Sequence, residues 1–244
     1  MSDWSSNEGK AFYAVQHAGA LTARRLDELC GLRPNWSRLL TMGWLKQVKT
    51  VYGPVVTWGD RAHDLIGAHA AARLSAPSSL ADRAYMMDAL RTLEFEGYTV
   101  VDTQFKSAPQ LGKQGAHIVR ARVRVSEVEM QALQASRQNS SGGDPAKREQ
   151  LGQPWVYARI SGGGINRAMA SKLYHGHAGD INLWRSPLIL VVPSTETFRG
   201  LLRAQEAERA RNQRPQTAAG QIHSALRLIT QPRPNLIQRP SNAP

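Results

Sequence analysis

Residues 21–58 read LTARRLDELCGLRPNWSRLLTMGWLKQVKTVYGPVVTW, and this stretch decides the first half of the fold. Thr22, behind the apolar Leu21, is a hydroxyl N-cap for a helix whose inner face carries Leu26, Leu29 and Cys30. Gly31 stops that helix, since glycine adopts positive φ at no steric cost. Pro34 opens the next one, where its missing N–H costs nothing, and Trp36, Leu39 and Leu40 form a buried stripe. Arg33, Asn35, Ser37, Arg38 and Thr41 are left facing outward. Gly43 closes this helix. A strand over Lys46 to Val51 follows, Tyr52-Gly53-Pro54 makes the turn, and Val55 to Trp58 returns.

Two short helices, a tight turn and a hairpin make a winged helix-turn-helix, a module whose usual target is the major groove of duplex DNA. The outward residue types suit a recognition helix. Arginine can bond guanine O6 and N7 together, and asparagine can do the same for adenine. Lys46 and Lys49 would lie along a phosphate backbone if the hairpin acts as a wing. The same polar face would also serve a module that binds only proteins; the basic charge of the chain favours DNA.

On either side of this stretch the module is completed. Glu8 to Ala18 reads as its first helix, with Ala11, Phe12 and Val15 inward and Gly19 at its end. Gly59 to Leu74 reads as a fourth helix, with Ala62, Leu65, Ile66 and Ala70 inward and His63 and His69 solvated. The composition break Ser75-Ala76-Pro77-Ser78-Ser79 sets the boundary, so residues 8–75 form the winged domain.

Residues 80–211 read as an α/β domain with a mixed sheet, giving an α+β / α/β chain. Ala81 to Glu96 is a helix capped near Ser79, with Tyr85, Met86, Ala89, Leu90 and Leu93 as its core stripe and Gly97 at its end. Tyr98 to Phe105 is a strand, and Lys106 to Gly115 a loop. His117 to Val125 is the clearest strand: Ile118, Val119, Ala121, Val123 and Val125 alternate with Arg120, Arg122 and Arg124. Those three arginines are either a solvated face or a stripe that tracks phosphates. Ser126 and Glu129 have capping-box spacing for a helix to Arg137, and Gln138 to Gln153 is a flexible excursion. Trp155 to Ile160 is a third strand. Ser161 to Gly164 turns into a helix over Ile165 to Tyr174. Pro187 to Val192 is a buried strand, and Ser194 caps a helix to Arg211. Residues 212–244 are a Pro-, Gln- and Arg-rich tail, expected to be largely disordered apart from a short element over Ala218 to Ile229.

The 244 residues carry 31 Lys+Arg against 19 Asp+Glu, a net charge of +12, and a pI near 10.4 points to polyanionic partners. The charge is uneven, since residues 199–244 carry 8 basic residues against 2 acidic and supply half of the excess. At 41% hydrophobic residues the chain can build real cores. Cys30 is the only cysteine and cannot form an intramolecular disulfide, so a core thiol in a reducing cytoplasm is expected. No signal peptide or membrane span is apparent, and the expected location is the cytoplasm, on the nucleoid.

A winged helix followed by helix, three strands, helix, strand and helix resembles the replication-relaxation family of plasmid and mobile-element proteins. The residues carrying the resemblance are Leu21-Thr22-Ala23-Arg24-Arg25-Leu26, Val55-Val56-Thr57-Trp58-Gly59, and the last strand with its helix. It implies a restriction-endonuclease-like core in the second domain. A nuclease of that fold holds Mg²⁺ between an Asp on the second strand and a Glu-x-Lys on the third. Here the second strand offers Arg120, Arg122 and Arg124, the third reads Tyr157-Ala158-Arg159, and Asp102 stands alone on the first. The core is therefore expected to be nonenzymatic.

Other constellations are thin. Gly162-Gly163-Gly164 before a helix, with Arg167 and Lys172 close by, could cradle an anion, but it lacks the Gly-Lys-Ser/Thr ending of a nucleotide-binding loop and a plain turn is favoured. His175, His177 and Asp180 have only a chance-level metal spacing. The expectation is a nonenzymatic protein that binds double-stranded DNA by its winged helix, with further phosphate contacts from Arg120, Arg122, Arg124, Arg167 and Lys172 of the second domain and from the basic tail, and with no cofactor, no metal and no catalytic residue. It would regulate transcription, replication or maintenance of a mobile element, as a possible homodimer. A divergent Mg-dependent nuclease and a sequence-independent DNA-organising or repair-associated protein are the alternatives.

Overall fold

The computed structural model describes residues 5–66, 76–104, 118–135, 151–177, 179, 181, 187–200, 203, 207 and 226–231. The chain is mixed α+β with two sheets, one of three strands and one of five. It forms two compact units: Met1–Asp88 with Ile160–Gly162 and Pro232–Pro244, and Ala89–Arg159 with Gly163–Gln231. The division falls after Asp88, inside a helix, rather than at residues 75–79. The first part of that helix belongs to the first unit because its carboxylates are bonded there, Asp88 to Thr22 and Tyr52, and Asp82 to Ser161.

In the first unit α1 (Ser6–Ala18) opens with a capping box that the sequence reading overlooked. Ser5 Oγ accepts from Glu8 N–H, and Glu8 Oε2 accepts from Ser5 N–H. Ala11, Phe12, Val15 and Ala18 face the core. Leu21–Thr22 is a short strand, β1, as well as the cap of α2 (Ala23–Cys30), where Thr22 Oγ1 accepts from Arg25 N–H. Of the expected inner face of α2, Leu26 and Cys30 are buried, but Leu29 is 44% exposed. Leu26 and Cys30 are four apart and share a stripe, and an eight-residue helix turns Leu29 past its edge.

The helix expected from Pro34 is two pieces, a 3₁₀ turn (Arg33–Asn35) and α3 (Ser37–Thr41), with Trp36 between them at φ −133°. Trp36 is wholly buried and its Nε1–H donates to Asp27, so its backbone is set by that anchor rather than by helix continuity. β2 (Leu45–Thr50) and β3 (Gly53–Trp58) form the hairpin, and β1 pairs antiparallel with β3, giving the order β1-β3-β2. The turn lies at Val51-Tyr52, not at Tyr52-Gly53-Pro54, and Pro54 sits within β3 opposite Lys49. Tyr52 is drawn inward. Its ring packs edge-on against Tyr85, and its hydroxyl donates to Asp88 at 2.8 Å. Gly59 follows, in a place only glycine fits, because an added Cβ would meet Gly43 O at 2.1 Å.

The fourth helix is a 3₁₀ turn (Asp60–Ala62) and the short α4 (His63–Ile66). Ala62 is buried as expected, whereas Leu65 is 62% exposed. Ala70, His69 and the rest of that expected helix lie outside the described residues. α5 spans Pro77–Phe95, so Ser79 lies within it rather than capping it, and Tyr85, Met86, Ala89, Leu90 and Leu93 are all buried.

The second unit holds β4 (Thr99–Gln104), β5 (Val119–Arg124), α6 (Glu127–Ala135), β6 (Trp155–Ala158), α7 (Arg167–Gly176), β7 (Leu188–Val192) and β8 (Leu226–Thr230). The sheet order is β4-β5-β6-β7-β8, antiparallel for the first two pairings and parallel for the last two. All five residues of β7 are buried, as a central strand with parallel neighbours requires. α7 begins at Arg167, two residues later than the predicted start, and the Asn166 side chain caps it by accepting from Met169 N–H. β8 overlaps the end of the short element expected over Ala218 to Ile229: Leu226–Thr230 is a sheet strand, tied by Arg227 to the Tyr98 hydroxyl and to Glu96. Most of the helix expected to Arg211 and of the loops at 106–115 and 138–150 lies outside the described residues.

Candidate nucleic-acid interface

The outward-facing residues of the Arg33–Asn35 turn and α3 come together on the first unit. Arg33, Asn35, Arg38 and Thr41 are exposed and Ser37 is half-buried, while Trp36 and Leu39 are buried beneath them. Gly31 sits against this turn. With φ at +82°, it lets the Asn35 amide approach so closely that a Cβ there would lie 2.5 Å from Nδ2. Arg33 lies over the Trp36 ring at 5.9 Å.

Arg38 is steadied from α1, its Nε standing 3.6 Å from Glu8 Oε1. Glu8 is buried, so the carboxylate that caps α1 also fixes where this arginine can point. The sequence reading took Glu8 only for the start of α1; the Ser5-x-x-Glu8 spacing was the signal that could have marked it as a buried capping carboxylate.

β2 lies beside α3 as a sheet edge, with Lys46, Gln47 and Lys49 all exposed. Charged edge strands resist pairing with other chains, so lysines here also have a plain structural use. Lys46 bonds Asp60 at 2.9 Å and, through that hydrogen bond and its charge, holds the Asp60 carboxyl below its ordinary value. Lys49 forms no ion pair among the described residues. A cleft between α3 and β2 is lined by Leu40, Leu45, Lys46, Gln47, Asp60 and Arg61. Arg61, a second residue the sequence reading missed, is exposed at its mouth. It stacks on Trp44 at 5.3 Å and donates to Met42 O. Its signal was a cation just after the hairpin, beyond the residues taken for the wing. The hairpin tip does not project as a free wing, because Tyr52 anchors it.

Cys30 lies under the groove between α1 and α2. Burial pushes its thiol up, with Lys10 opposing, so it stays protonated at neutral pH, as expected of a core thiol.

The remaining predicted residues belong to the second unit. Arg120 and Arg122 are half-buried and Arg124 is exposed, on the face of β5 opposite Val119, Ala121 and Val123. Ile118 shares the arginines' face instead of alternating with them, and packs with Tyr157 in the core. Arg167 and Lys172 are exposed on α7. The glycine turn does engage a carboxylate, the chain's own. Within the first unit Asp82 accepts from Ile160 N–H at 2.7 Å, Ser161 N–H at 2.8 Å and Ser161 Oγ–H at 2.6 Å.

His175 and His177 are not brought together. His175 is exposed on α7, and His177 is buried with Nε2 2.6 Å from the Tyr157 hydroxyl. Asp180 lies outside the described residues. No metal-binding group of three His, Cys, Asp or Glu side chains occurs among the described residues, and no helix there is long and apolar enough to cross a membrane. Comparison of the chain with protein-family models, curated proteins and solved structures finds no match.

Proposed function

We propose that the first unit is a winged helix-turn-helix that binds duplex DNA through the Arg33–Asn35 turn, α3 and β2. One observation carries the reading. Arg33, Asn35, Arg38, Thr41, Lys46, Lys49 and Arg61 are all exposed, while the apolar residues between them, Trp36, Leu39 and Leu45, are buried. Such a face offers a polyanion guanidinium, ammonium and amide groups, on a core that already holds them in place.

α3 has only five residues, a rise of about 7.5 Å, so base reading falls to the few side chains at its exposed edge. Asn35 and Arg38 are the candidates for base edges, and Lys46, Lys49 and Arg61 for phosphates. The role would be nonenzymatic: regulation of transcription, replication or maintenance of a mobile element, the setting implied by the replication-relaxation resemblance. Two copies reading two half-sites would make the target palindromic.

Selection of bound sequences from a random duplex pool tests this. A recovered motif that is lost with Arg38→Ala, while Lys49→Ala weakens all duplexes alike, supports the assignment. Duplex binding unmoved by either substitution removes this face from the function.

A further inference from the structure

The inward stripe of α1 is matched by a second stripe on another face. Ser6, Gly9, Lys10, Tyr13 and Ala14 recur at i, i+3, i+4, i+7 and i+8, the spacing that brings side chains onto one side of a helix. Together with Leu29 and Cys30 of α2 they line a groove of about 490 Å³, a volume typical of small-molecule sites. Its two walls carry apolar bulk open to solvent: Tyr13 is 66% exposed on α1, and Leu29 is 44% exposed on α2. Leu29 is the residue that leaves the core stripe of its helix, and this groove is where it goes. Cys30, buried, forms the floor.

Gly9 keeps the groove open. Its φ is not positive, and a Cβ built on it would meet nothing within 4 Å. Neither its backbone nor its packing therefore calls for glycine, which is worse than alanine inside a helix. What a side chain here would remove is room in the groove. Polar groups gather toward the N-terminal end. Lys10 is the one charged residue on the walls; it is exposed and forms no ion pair or hydrogen bond among the described residues. Ser6 stands one turn before it. The charge of Lys10 reaches the floor. Burial raises the Cys30 thiol and Lys10 acts against that, with a weaker upward push from Asp27, whose carboxylate already accepts from Trp36 Nε1–H.

An open apolar trough with an unpaired cation toward one end is complementary to a hydrocarbon that ends in a carboxylate. We propose that the α1–α2 groove binds such an acid, with its carboxylate on Lys10 and Ser6 and its chain between Tyr13 and Leu29, over Gly9. The site uses none of the residues assigned to duplex DNA and does not rest on that reading.

The test uses the full chain, with decanoate, octanoate and decylammonium as probes, each below its micelle concentration, followed by calorimetry. Decanoate is expected to bind. Octanoate, two methylenes shorter, should bind about four- to fifteen-fold more weakly, since each methylene laid on the walls adds about two- to four-fold. Lys10→Glu should weaken decanoate about ten-fold, through the lost attraction and the new repulsion, and should turn the preference toward decylammonium. Gly9→Leu fills the groove with a better helix former. It should weaken decanoate about ten-fold while raising the melting temperature, two effects that damage to the fold cannot produce together.

A parent chain that binds no decanoate, or binds decanoate and decylammonium alike, overturns the proposal. So does a decanoate affinity that stays within about two-fold of the parent in Lys10→Glu, a substitution at an exposed position where folding is not at stake. If the parent sediments as a dimer that Gly9→Leu splits, and decanoate gives no heat, the groove belongs to a second copy and the ligand reading falls. Duplex affinity measured alongside bears on the DNA reading alone.

Discussion

Substituting Lys49 by alanine should change how duplex binding depends on salt, and the structure says by how much. Each phosphate neutralised by a protein cation releases condensed counterion, so log K falls against log salt with a slope of about −0.9 per contact. With Arg38 set aside for base edges, Arg33, Lys46, Lys49 and Arg61 are the four exposed cations on the first unit's face, giving that face a slope of about −3.6 and a fall of about 150-fold between 50 and 200 mM salt. Lys49 forms no ion pair among the described residues and is exposed on an edge strand, so it should count in full. Lys49→Ala should bring the slope to about −2.7 and the fall to about 40-fold. Contacts from elsewhere in the chain would steepen both slopes and leave their difference unchanged.

The other cations set internal controls. The Lys46–Asp60 pair is exposed on both sides, so solvent screens it and phosphate can displace Asp60 cheaply. Lys46→Ala should therefore act nearly as Lys49→Ala does. Arg38 stands beside a carboxylate that is only 4% exposed and cannot leave. Arg38→Ala should alter the slope less and the sequence preference more. Anisotropy titrations of one labelled duplex across a salt series read all three. A slope that Lys49→Ala leaves unchanged would refute the placement of β2 along the backbone.

Two further outcomes test the scaffold of the first unit. Asp82→Ala strands two backbone N–H groups and the Ser161 hydroxyl, at about 1–3 kcal/mol for each that stays dry, whereas Asp82→Asn can keep all three bonds by reversing the one to Ser161 Oγ. Urea unfolding should thus rank alanine at least about 2 kcal/mol below asparagine, and equal losses would count against the cradle. Asp88 has its carboxyl pushed up by burial, against hydrogen bonds from Tyr52 and Thr22 and the charge of Arg25. The folded state holds that proton more tightly than the unfolded chain, so the stabilisation is complete below the ordinary aspartate range and is lost as pH rises through the folded value. Asp88→Asn should accordingly gain on the parent as pH is raised from 3 to 7 in unfolding titrations, and a gap moving the other way would show a net stabilising carboxylate.

The sequence disclosed what local pattern controls and concealed what distant partners control. Trp36 and Leu39 beneath the outward polar residues, the five-residue apolar β7 and the buried stripe of α5 each follow from spacing alone, because burial of one face fixes periodicity. Tyr52 beside Gly53-Pro54 has the look of a solvent turn, and its hydroxyl acceptor lies 36 residues on, at Asp88. Asp82 has the look of a solvated helix residue, and its donors lie 78 and 79 residues away. The sequence marked a short element over Ala218 to Ile229 but not that its end, β8, is a strand, because its backbone pairs with β7, an interaction to which composition is blind.

The candidate interface divides in the same way. Which side chains are polar and outward was legible; which charges are already engaged was not. Arg38 is tied to Glu8 and Lys46 to Asp60, so the net charge of the chain overstates what the first unit can offer a phosphate. That difference separates steering from reading. On the proposed reading the overall charge would draw the polymer in from a distance, but at contact it is Lys49, unpaired among the described residues, that should grip any duplex, and Arg38, held by a buried carboxylate, that should tell one duplex from another.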